Sequence, residues 1–508
     1  MSIIQRFYKH VSQTPEKIAV ICDEQTLSYR ELSDQVALLS EGLSDLGCKR
    51  GDHVAVLLPN GVEFAVVMLA AANMGIVLVP NNMTLGTEAL QRSMQAADVK
   101  HAIIWHALIP DLKGLFEQIL SEDALLVSVG GESPGTHAYA SLIKTSIEKN
   151  PLQSRRSTEE QPYILTMTSG STGDPKPIVL SQETKLLRAQ AAIGLYNITS
   201  EDLTLIATPM YHSLAERLVV ISLISGGTCV VLGTYTAKKW IDAVIDHKVS
   251  FAIPVSSQLK QILIELKNKP SPLETLRCIV SSSERLPDAV REEMKQVIRC
   301  DVHECYGASE VAIVTDLDCQ SSENGSVGKV IPGVEIAILD DNRVPVGVNQ
   351  AGEIACKTPM LFSGYYKNPE TTAAAMWNDF FCTGDIGCID EEGYLYFLGR
   401  KKDVIISGGI NIYPKDIEDV LNSHESVVES AVIPLLDDAL GEKLTAVVVV
   451  NSNTPFNIRL LQRLCAKALA DYQQPRAYLV VESLPKNPMG KIMKQNLIQQ
   501  ITDSSAFA

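Results

Sequence analysis

Apolar strands alternate with amphipathic helices through the first 300 residues, and this alternation is the feature that most restricts the fold. Residues 29–48 carry leucine and valine at helical spacing and are followed by an apolar segment at 53–58. The same pairing of helix and strand recurs within 62–79, 237–253 and 278–298. Because such helices cover both faces of a parallel sheet, the pattern predicts an α/β multidomain fold with parallel sheets.

The chain changes character after residue 330. Short apolar segments separated by Gly, Pro, Asp and Asn fill 334–398 and predict a small antiparallel β-barrel. A charge cluster at 400–403 then precedes an α+β unit of ordinary domain size. Since 508 residues exceed one compact core, we predict a large N-terminal domain (1–399), a hinge (400–402) and a small mobile C-terminal domain (403–508).

Composition limits the classes of partner. The net charge of −16 argues against a general nucleic-acid or anionic-membrane binder, so an anionic ligand needs a local basic pocket. Eleven cysteines, an odd number without a C-x-x-C motif, favour a reducing compartment. The N-terminus lacks the apolar core of a signal peptide, and the longest apolar run is interrupted by Asn73 and Gly75. The expected location is therefore cytoplasmic, without a transmembrane segment.

Residues 166–177 read Thr-Met-Thr-Ser-Gly-Ser-Thr-Gly-Asp-Pro-Lys-Pro and combine hydroxyls, glycines and a lysine. Glycines let successive backbone N–H groups point into one concavity, while hydroxyls and an ammonium add donors and positive charge. Such a loop suits a polyphosphate. The candidate ligands are Thr168, Ser169, Gly170, Ser171, Thr172, Gly173 and Lys176.

The loop does not match the Walker phosphate loop, G-x-x-x-x-G-K-[ST]. Five residues after Gly170 comes Pro175 rather than glycine. Apolar residues 163–167 precede the loop and 178–180 follow it, so the pattern predicts strand–loop–strand without a helix N-terminus. From these residues alone, a solvated turn is an equally good interpretation.

Three segments further along pair reactive groups with turn residues. An aromatic ring, a glycine, a hydroxyl and a carboxylate would suit a base, a phosphate and Mg²⁺. Such a set is formed by Tyr306, Gly307, Ser309 and Glu310. Asp385 and Arg400 have the chemistry to hold ribose hydroxyls and a phosphate. Two prolines and a glycine make the segment 485–491 stiff, so that it can hold Lys491 in one orientation. The positive charge of Lys491 could then stabilise an oxygen on which negative charge grows. For each segment alone, ordinary turn and surface residues are the commoner explanation, and His212 alone is more often structural.

Taken in order, TSGSTGDPK, PMYH, YGASE, TGD, GRKKD and PKNPMGK resemble the adenylate-forming superfamily, in particular its branch of acyl-CoA synthetases and AMP-dependent ligases. The resemblance spans nearly the whole chain. It implies a two-step reaction: a carboxylate attacks the α-phosphorus of ATP to give an acyl-adenylate and pyrophosphate, and a thiol then displaces AMP.

The resemblance also implies roles for individual residues. The loop that ends in Lys176 would hold the β- and γ-phosphates. Residues 281–284, with Ser283 and Glu284, would line adenine, and Lys402 would be the hinge on which the small domain rotates. The remaining implied roles are stacking on adenine for Tyr306 in the turn with Gly307, α-phosphate contact for Ser309, Mg²⁺ ligation for Glu310, ribose binding for Asp385 and Arg400, a bridge between carboxylate and α-phosphate for Lys491, and the mouth of the acyl site for His212.

The implied co-substrates are ATP with Mg²⁺, a small carboxylic acid, and CoA or the phosphopantetheine of a separate acyl carrier protein. The Phe-Asp pair of amino-acid-activating relatives is missing near Tyr211, which favours a fatty or other acyl acid, or an aryl acid. Three alternatives stay open: an amino- or hydroxy-acid adenylation enzyme that loads a carrier protein, a luciferase-like oxygenase, and a catalytically silent nucleotide-binding protein. A homodimer is one assembly that the sequence leaves open.

Overall fold

A computed structural model describes residues 1–144, 160–169, 175–268, 273–320, 325–407, 410–437, 441–451, 456–487 and 490–505. Four β-sheets carry the fold. The strands are β1 Ile18–Cys22, β2 Gln25–Ser28, β3 His53–Leu57, β4 Val77–Pro80, β5 His101–Trp105, β6 Leu126–Val129, β7 His137–Ala138, β8 Pro162–Ser169, β9 Pro175–Ser181, β10 Leu203–Ile206, β11 Thr228–Val231, β12 Phe251–Ala252, β13 Cys278–Ser281, β14 Asp301–Ala308, β15 Ala312–Asp318, β16 Lys329–Val330, β17 Glu335–Leu339, β18 Gly352–Lys357, β19 Met376–Trp377, β20 Phe380–Ile389, β21 Leu395–Arg400, β22 Ile405–Ser407, β23 Ile410–Ile412, β24 Val427–Asp437, β25 Gly441–Val450 and β26 Ala477–Val481.

The α-helices connect and cover these sheets. They are α1 Ile3–Gln13, α2 Tyr29–Asp45, α3 Val62–Met74, α4 Thr87–Ala96, α5 Ile109–Ile119, α6 Tyr139–Leu142, α7 Gln182–Leu195, α8 Ser213–Ser225, α9 Ala237–His247, α10 Ser256–Asn268, α11 Asp288–Val297, α12 Pro369–Ala374, α13 Pro414–Asn422, α14 Ile458–Ala468 and α15 Lys494–Ser505. None of those in the described ranges combines the length and apolar character needed to cross a membrane.

Two large sheets form the body of the molecule. The first has the strand order β16-β15-β14-β13-β12-β10-β11-β1-β2, and the second has the order β7-β6-β5-β3-β4-β8-β9. Pairing is parallel from β1 through β14 in the first and from β7 through β8 in the second, with antiparallel strands at the edges. The predicted parallel α/β core is confirmed.

Helices α3 and α7 contact both large sheets, and α8 packs beside α7. Nearly every residue of α3 and α8 is buried, which explains why neither helix has a polar face. The outer helices are amphipathic instead; α9 buries Trp240, Ile241 and Val244 and exposes its lysines. Layers of this kind leave the carboxyl ends of the strands and their loops free to form a site.

The third sheet differs from the predicted barrel. Strands β17, β18, β20 and β19 pair in that order and β21 joins β20, so the sheet is antiparallel as expected. Among the described strands, however, the order is open and no pairing closes it. Closure requires the edge strands to pair with each other, and β19 contributes only Met376 and Trp377 to its edge.

A fourth sheet lies within the C-terminal hundred residues. Its order is β23-β22-β25-β24, with β26 parallel to β25, and α13 and α14 pack on it. Its own small core centres on Ile405, Ile417, Val432, Ala446 and Leu461. All eleven cysteines lie in the described part of the chain and are free.

Candidate active site

The predicted phosphate-binding loop lies between two strands of the second sheet. β8 and β9 are antiparallel neighbours, with Thr168 opposite Lys176 and Ser169 opposite Pro175. Strand–loop–strand is therefore correct. The predicted ligands of the loop itself, Gly170, Ser171, Thr172 and Gly173, lie outside the described residues, as do the side chains of Thr168 and Ser169.

Ser309 and Glu310 lie in the tight turn between β14 and β15, where Ala308 pairs with Ala312. A β-bulge precedes the turn, between Tyr306 and Gly307. A Cβ at Gly307 would approach the Ala312 carbonyl oxygen to 1.8 Å, so only glycine allows the hairpin to close this tightly. The bulge and turn place a hydroxyl and a carboxylate at the end of the sheet.

Asp385 is the centre of a buried hydrogen-bonded group. Its carboxylate is 2 % exposed; Oδ2 accepts a 2.8 Å hydrogen bond from the Tyr306 hydroxyl, and Arg400 Nε lies 2.8 Å from Oδ1. Register explains the ion pair, because Asp385 of β20 stands opposite Arg400 of β21. Burial raises the pKa of Asp385 while Arg400 opposes this rise. Tyr306 and Arg400, both predicted site residues, are thus joined through Asp385.

Lys491 reaches the same region from the C-terminal unit. The pKa of Lys491 is lowered chiefly by burial and also by the positive charge of Arg400. The carboxylates of Asp385 and Glu284 act in the opposite direction and favour the charged ammonium. The residue nevertheless keeps more than a third of its surface accessible to solvent. The neighbouring Gly490 adopts φ +80°, and a Cβ there would approach Ser257 Oγ to 2.5 Å, which shows how closely this loop packs on α10.

Residues 281–284 continue β13 toward the cleft. Ser282 forms a parallel bridge with Val255. Ser283 has φ +76°, a backbone conformation that residues other than glycine rarely adopt. Ser283 and Glu284 are both exposed. Strained residues of this kind concentrate at functional sites, so the observation agrees with the predicted role in base binding without testing it.

Two residues that the motifs did not reveal hold Glu310 in place. Tyr365 donates its hydroxyl hydrogen to Glu310 Oε1 at 3.0 Å. The buried Arg188 of α7 donates to the backbone carbonyls of Ser309 and Glu310 at 2.8 and 2.7 Å. Tyr365 lies in the sequence Gly-Tyr-Tyr, and Arg188 lies on helix α7. Neither residue belongs to one of the motifs, so the sequence does not show that it contacts Glu310.

His212 and Lys402 occupy other positions. His212 is the N-cap of α8; its ring Nε2 is buried without a hydrogen-bond partner among the described residues, and burial lowers its pKa to about 4. The described hydrogen bonds do not link His212 to Asp385 or Glu310. Lys402 is exposed in a 3-10 turn, Lys401–Asp403, directly after β21, and its role as a hinge stays a prediction.

Two family models match the chain. The AMP-binding enzyme model covers residues 7–366, and the model of the AMP-binding enzyme C-terminal domain covers residues 416–491. Together they take in every motif described above except the TGD and GRKKD segments.

The similar proteins include several CoA ligases. The chain is 32% identical to a 2-succinylbenzoate–CoA ligase of Bacillus pumilus (95% of each chain) and 28% identical to an indoleacetate–CoA ligase of Aromatoleum aromaticum (99% and 98%). Among solved structures, the o-succinylbenzoate CoA synthetase of Bacillus subtilis in complex with its acyl-adenylate intermediate superposes with a TM-score of 0.86 at 27% identity, covering 97% of both chains.

The family models extend over most of the sequence, and the relatives match from end to end. Three of the predicted motif residues, Tyr306, Asp385 and Arg400, contact one another in the fold. The chain belongs to the AMP-binding enzyme family and, with it, to the adenylate-forming superfamily.

Proposed function

We propose that this protein is an ATP-dependent ligase that activates a small carboxylic acid as an acyl-adenylate and transfers the acyl group to the thiol of CoA, releasing AMP and pyrophosphate. One observation carries the proposal: Asp385 contacts both Tyr306 and Arg400, and the charges of Asp385 and Arg400 act on Lys491. Tyr306 lies on the strand that leads into the hairpin of Glu310. The CoA ligases among the relatives support CoA as the acceptor.

In this proposal, the site works by positioning and charge rather than by covalent chemistry. Asp385 and Arg400 hold the ribose, and Ser309 contacts the α-phosphate. The Lys491 ammonium bridges the attacking carboxylate and the α-phosphate, where negative charge grows as the new bond forms. Departure of pyrophosphate is then favoured by Lys176 and by the loop 168–173 that leads into it.

Mg²⁺ suits the carboxylate of Glu310. The side chain is half-buried, and its Oε1 accepts a hydrogen bond from the neutral phenol of Tyr365. Arg188, whose charge also interacts with Glu310, donates to backbone carbonyls, and no ion pair to this carboxylate is present among the described residues. Mg²⁺ prefers oxygen ligands from one or two carboxylates together with substrate phosphates. When bound, the ion would neutralise phosphate charge.

The class of acid is an inference from the pocket and the relatives. His212 remains uncharged near neutral pH because burial lowers its pKa to about 4, and a neutral ring suits an apolar acyl group. Relatives are named for indoleacetate, 2-succinylbenzoate and long-chain fatty acids. We therefore expect an aryl or fatty acyl substrate rather than an α-amino acid. Loading of an acyl carrier protein is the alternative for the second step.

Rotation of the small domain would let one cleft serve both half-reactions. We propose 1–399 as the adenylation core, 400–402 as the hinge around Lys402 and 403–508 as the mobile domain. The exposed turn after β21 and the separate core of the fourth sheet support this division.

Pyrophosphate release tests the proposed function. The protein is incubated with ATP and Mg²⁺ and with indoleacetate, 2-succinylbenzoate, long-chain fatty acids and amino acids in turn. We expect release with an aryl or fatty acid and, after addition of CoA, a thioester that mass spectrometry identifies. Binding of ATP without pyrophosphate release for any acid would contradict the proposal and favour a silent nucleotide-binding protein.

A further inference from the structure

The segment 360–366 links the two parts of the site that approach the phosphates. Its backbone runs beside β9: Ser363 N–H donates to the Val179 carbonyl, and Val179 N–H donates to Gly364. Ile178 and Tyr365 form an antiparallel bridge. The segment thus continues the second sheet by one more strand-like stretch, immediately beside the strand that carries Lys176.

The same segment is fastened to the β14–β15 turn of the first sheet. Phe362 N–H donates to the Glu310 carbonyl oxygen at 2.8 Å. The Arg188 guanidinium, 2 % exposed, joins both sides by donating to the carbonyls of Ser309, Glu310 and Met360 at 2.7 to 3.0 Å. A buried guanidinium with several short hydrogen bonds leaves these backbones little freedom.

The backbone of Glu310 is therefore fixed, and its carboxylate has one described side-chain partner. The Tyr365 hydroxyl donates to Oε1 at 3.0 Å, and the Tyr365 ring packs edge-on against Phe362, with centroids 4.9 Å apart. Because a phenol is neutral, this bond orients the carboxylate without neutralising its charge, unlike a lysine or arginine at the same place.

Resting on the proposed function, we infer that Tyr365 is a positioning residue that orients the Glu310 carboxylate toward the divalent cation of the metal–nucleotide substrate. It links the cation ligand to the strand of the phosphate-binding loop. Without the Tyr365 hydroxyl, the Glu310 carboxylate can rotate. The cation must then fix the orientation of this carboxylate when it binds, and that ordering lowers the binding affinity.

Tyr366 offers a matched control, one residue further along the same segment. Its hydroxyl donates to Asp98 Oδ2 at 2.8 Å on the exposed surface. Tyr365→Phe and Tyr366→Phe each remove one hydroxyl that bonds a carboxylate, and both backbones lie beside β9. They differ in whether that carboxylate is the proposed cation ligand.

The experiment measures ATP affinity of the full-length protein by calorimetry, once with Mg²⁺ and once with EDTA. For Tyr365→Phe we expect the Kd for Mg²⁺–ATP to rise roughly tenfold, the scale of one hydrogen bond to a charged group, and the Kd for metal-free ATP to stay unchanged. The Mg²⁺ concentration that half-saturates pyrophosphate release should rise in parallel. Tyr366→Phe should match the wild type in all three quantities.

Two results would overturn the inference. One is an unchanged Mg²⁺ dependence in Tyr365→Phe. The other is an equal loss of affinity with and without Mg²⁺, which would indicate general damage to the fold. Either result can occur in a protein whose wild type releases pyrophosphate, so the inference can fail while the proposed function stands. If the wild-type protein released no pyrophosphate with any acid, both the proposed function and this inference would be contradicted.

Discussion

Glu304 of β14 is a buried carboxyl group without the cationic partner that Asp385 has. It is 2 % exposed; Oε1 accepts a hydrogen bond from Leu286 N–H at 2.7 Å, and Oε2 has no hydrogen-bond partner among the described residues. Burial raises the pKa of Glu304 to about 7, and Arg285 and Arg291 oppose the rise only in part. Glu304 therefore keeps its proton under mildly acidic conditions, in which an unfolded chain would lose it.

This raised pKa predicts a stability that depends on pH. Between about pH 4.3, the ordinary pKa of glutamate, and about 7, the folded state binds a proton that the unfolded state has released, so rising pH removes stability through this window. Glu304→Gln keeps the oxygen that accepts from Leu286 and cannot ionise. Relative to the wild type, the mutant should gain on the order of 1 to 3 kcal/mol in unfolding free energy between pH 5 and pH 8.

Urea unfolding of both proteins at the two pH values measures this difference. Other carboxyl groups titrate in the same range, but they are common to both proteins and cancel in the comparison. A mutant-minus-wild-type difference that does not change with pH would mean that Glu304 is ionised in the folded state.

At this scale, the sequence predicted the residues whose chemistry belongs to a motif and missed those that act through a fold contact. Asp385 and Arg400 were both predicted to bind ribose, a role that stays a prediction, and the structure joins them in an ion pair. Tyr365 and Arg188 reach Glu310 across 55 and 122 positions, and nothing in local composition specifies such a contact. The same holds for Glu304, whose pKa is raised chiefly by burial in the folded protein.

At the scale of elements, one ion pair joins the two parts of the molecule. Arg285, in the segment before α11, places Nη1 2.6 Å from Asp419 Oδ2 on α13. The Arg285 side chain is 10% exposed and also contacts Asp288, so the contact is partly shielded from solvent. We expect this pair to favour the arrangement of the C-terminal unit in which Lys491 lies near Arg400 and Asp385.

Removal of that contact should affect the two half-reactions differently. In Arg285→Ala we expect acyl-adenylate formation, measured as pyrophosphate release, to slow roughly threefold to tenfold, the range of a modest conformational coupling. Thioester formation from preformed acyl-adenylate should be unchanged or faster, because the proposed second arrangement does not need the pair.

Lys238→Ala is the matched control, since Lys238 forms an exposed ion pair with Asp242 on α9, and it should leave both rates unchanged. Equal slowing of both half-reactions in Arg285→Ala would argue that the ion pair supports the fold in general rather than one arrangement of it.

The types of helices and strands were well predicted, but the closure of the third sheet into a barrel was not. The alternation at 29–79 predicted α2, β3, α3 and β4 because apolar spacing is a local property. The short strands within 334–398 predicted a barrel, yet β17 to β21 form an open sheet among the described residues. Whether edge strands meet depends on register and twist, which alternation does not encode.

At the scale of the whole molecule, a chain with net charge −16 binds a polyanion only where cations are gathered locally. Arg400 lies at the start of the proposed hinge and Lys491 beyond it, and the two are close enough for the charge of Arg400 to lower the pKa of Lys491. In the proposed mechanism, this cationic site is complete only while the C-terminal unit keeps the arrangement described above. Motion of one unit would assemble or dismantle the site for adenylation.

Lys491→Ala tests this claim most directly, with Lys486→Ala as the control from the same loop, where Lys486 pairs with Glu429. Both half-reactions are measured for each variant: pyrophosphate release from ATP and the acid, and thioester formation from preformed acyl-adenylate and CoA. We predict that Lys491→Ala slows the first by about two orders of magnitude or more and leaves the second near the wild-type rate, while Lys486→Ala changes neither. An unchanged first step, or an equal loss in both steps, would contradict the account.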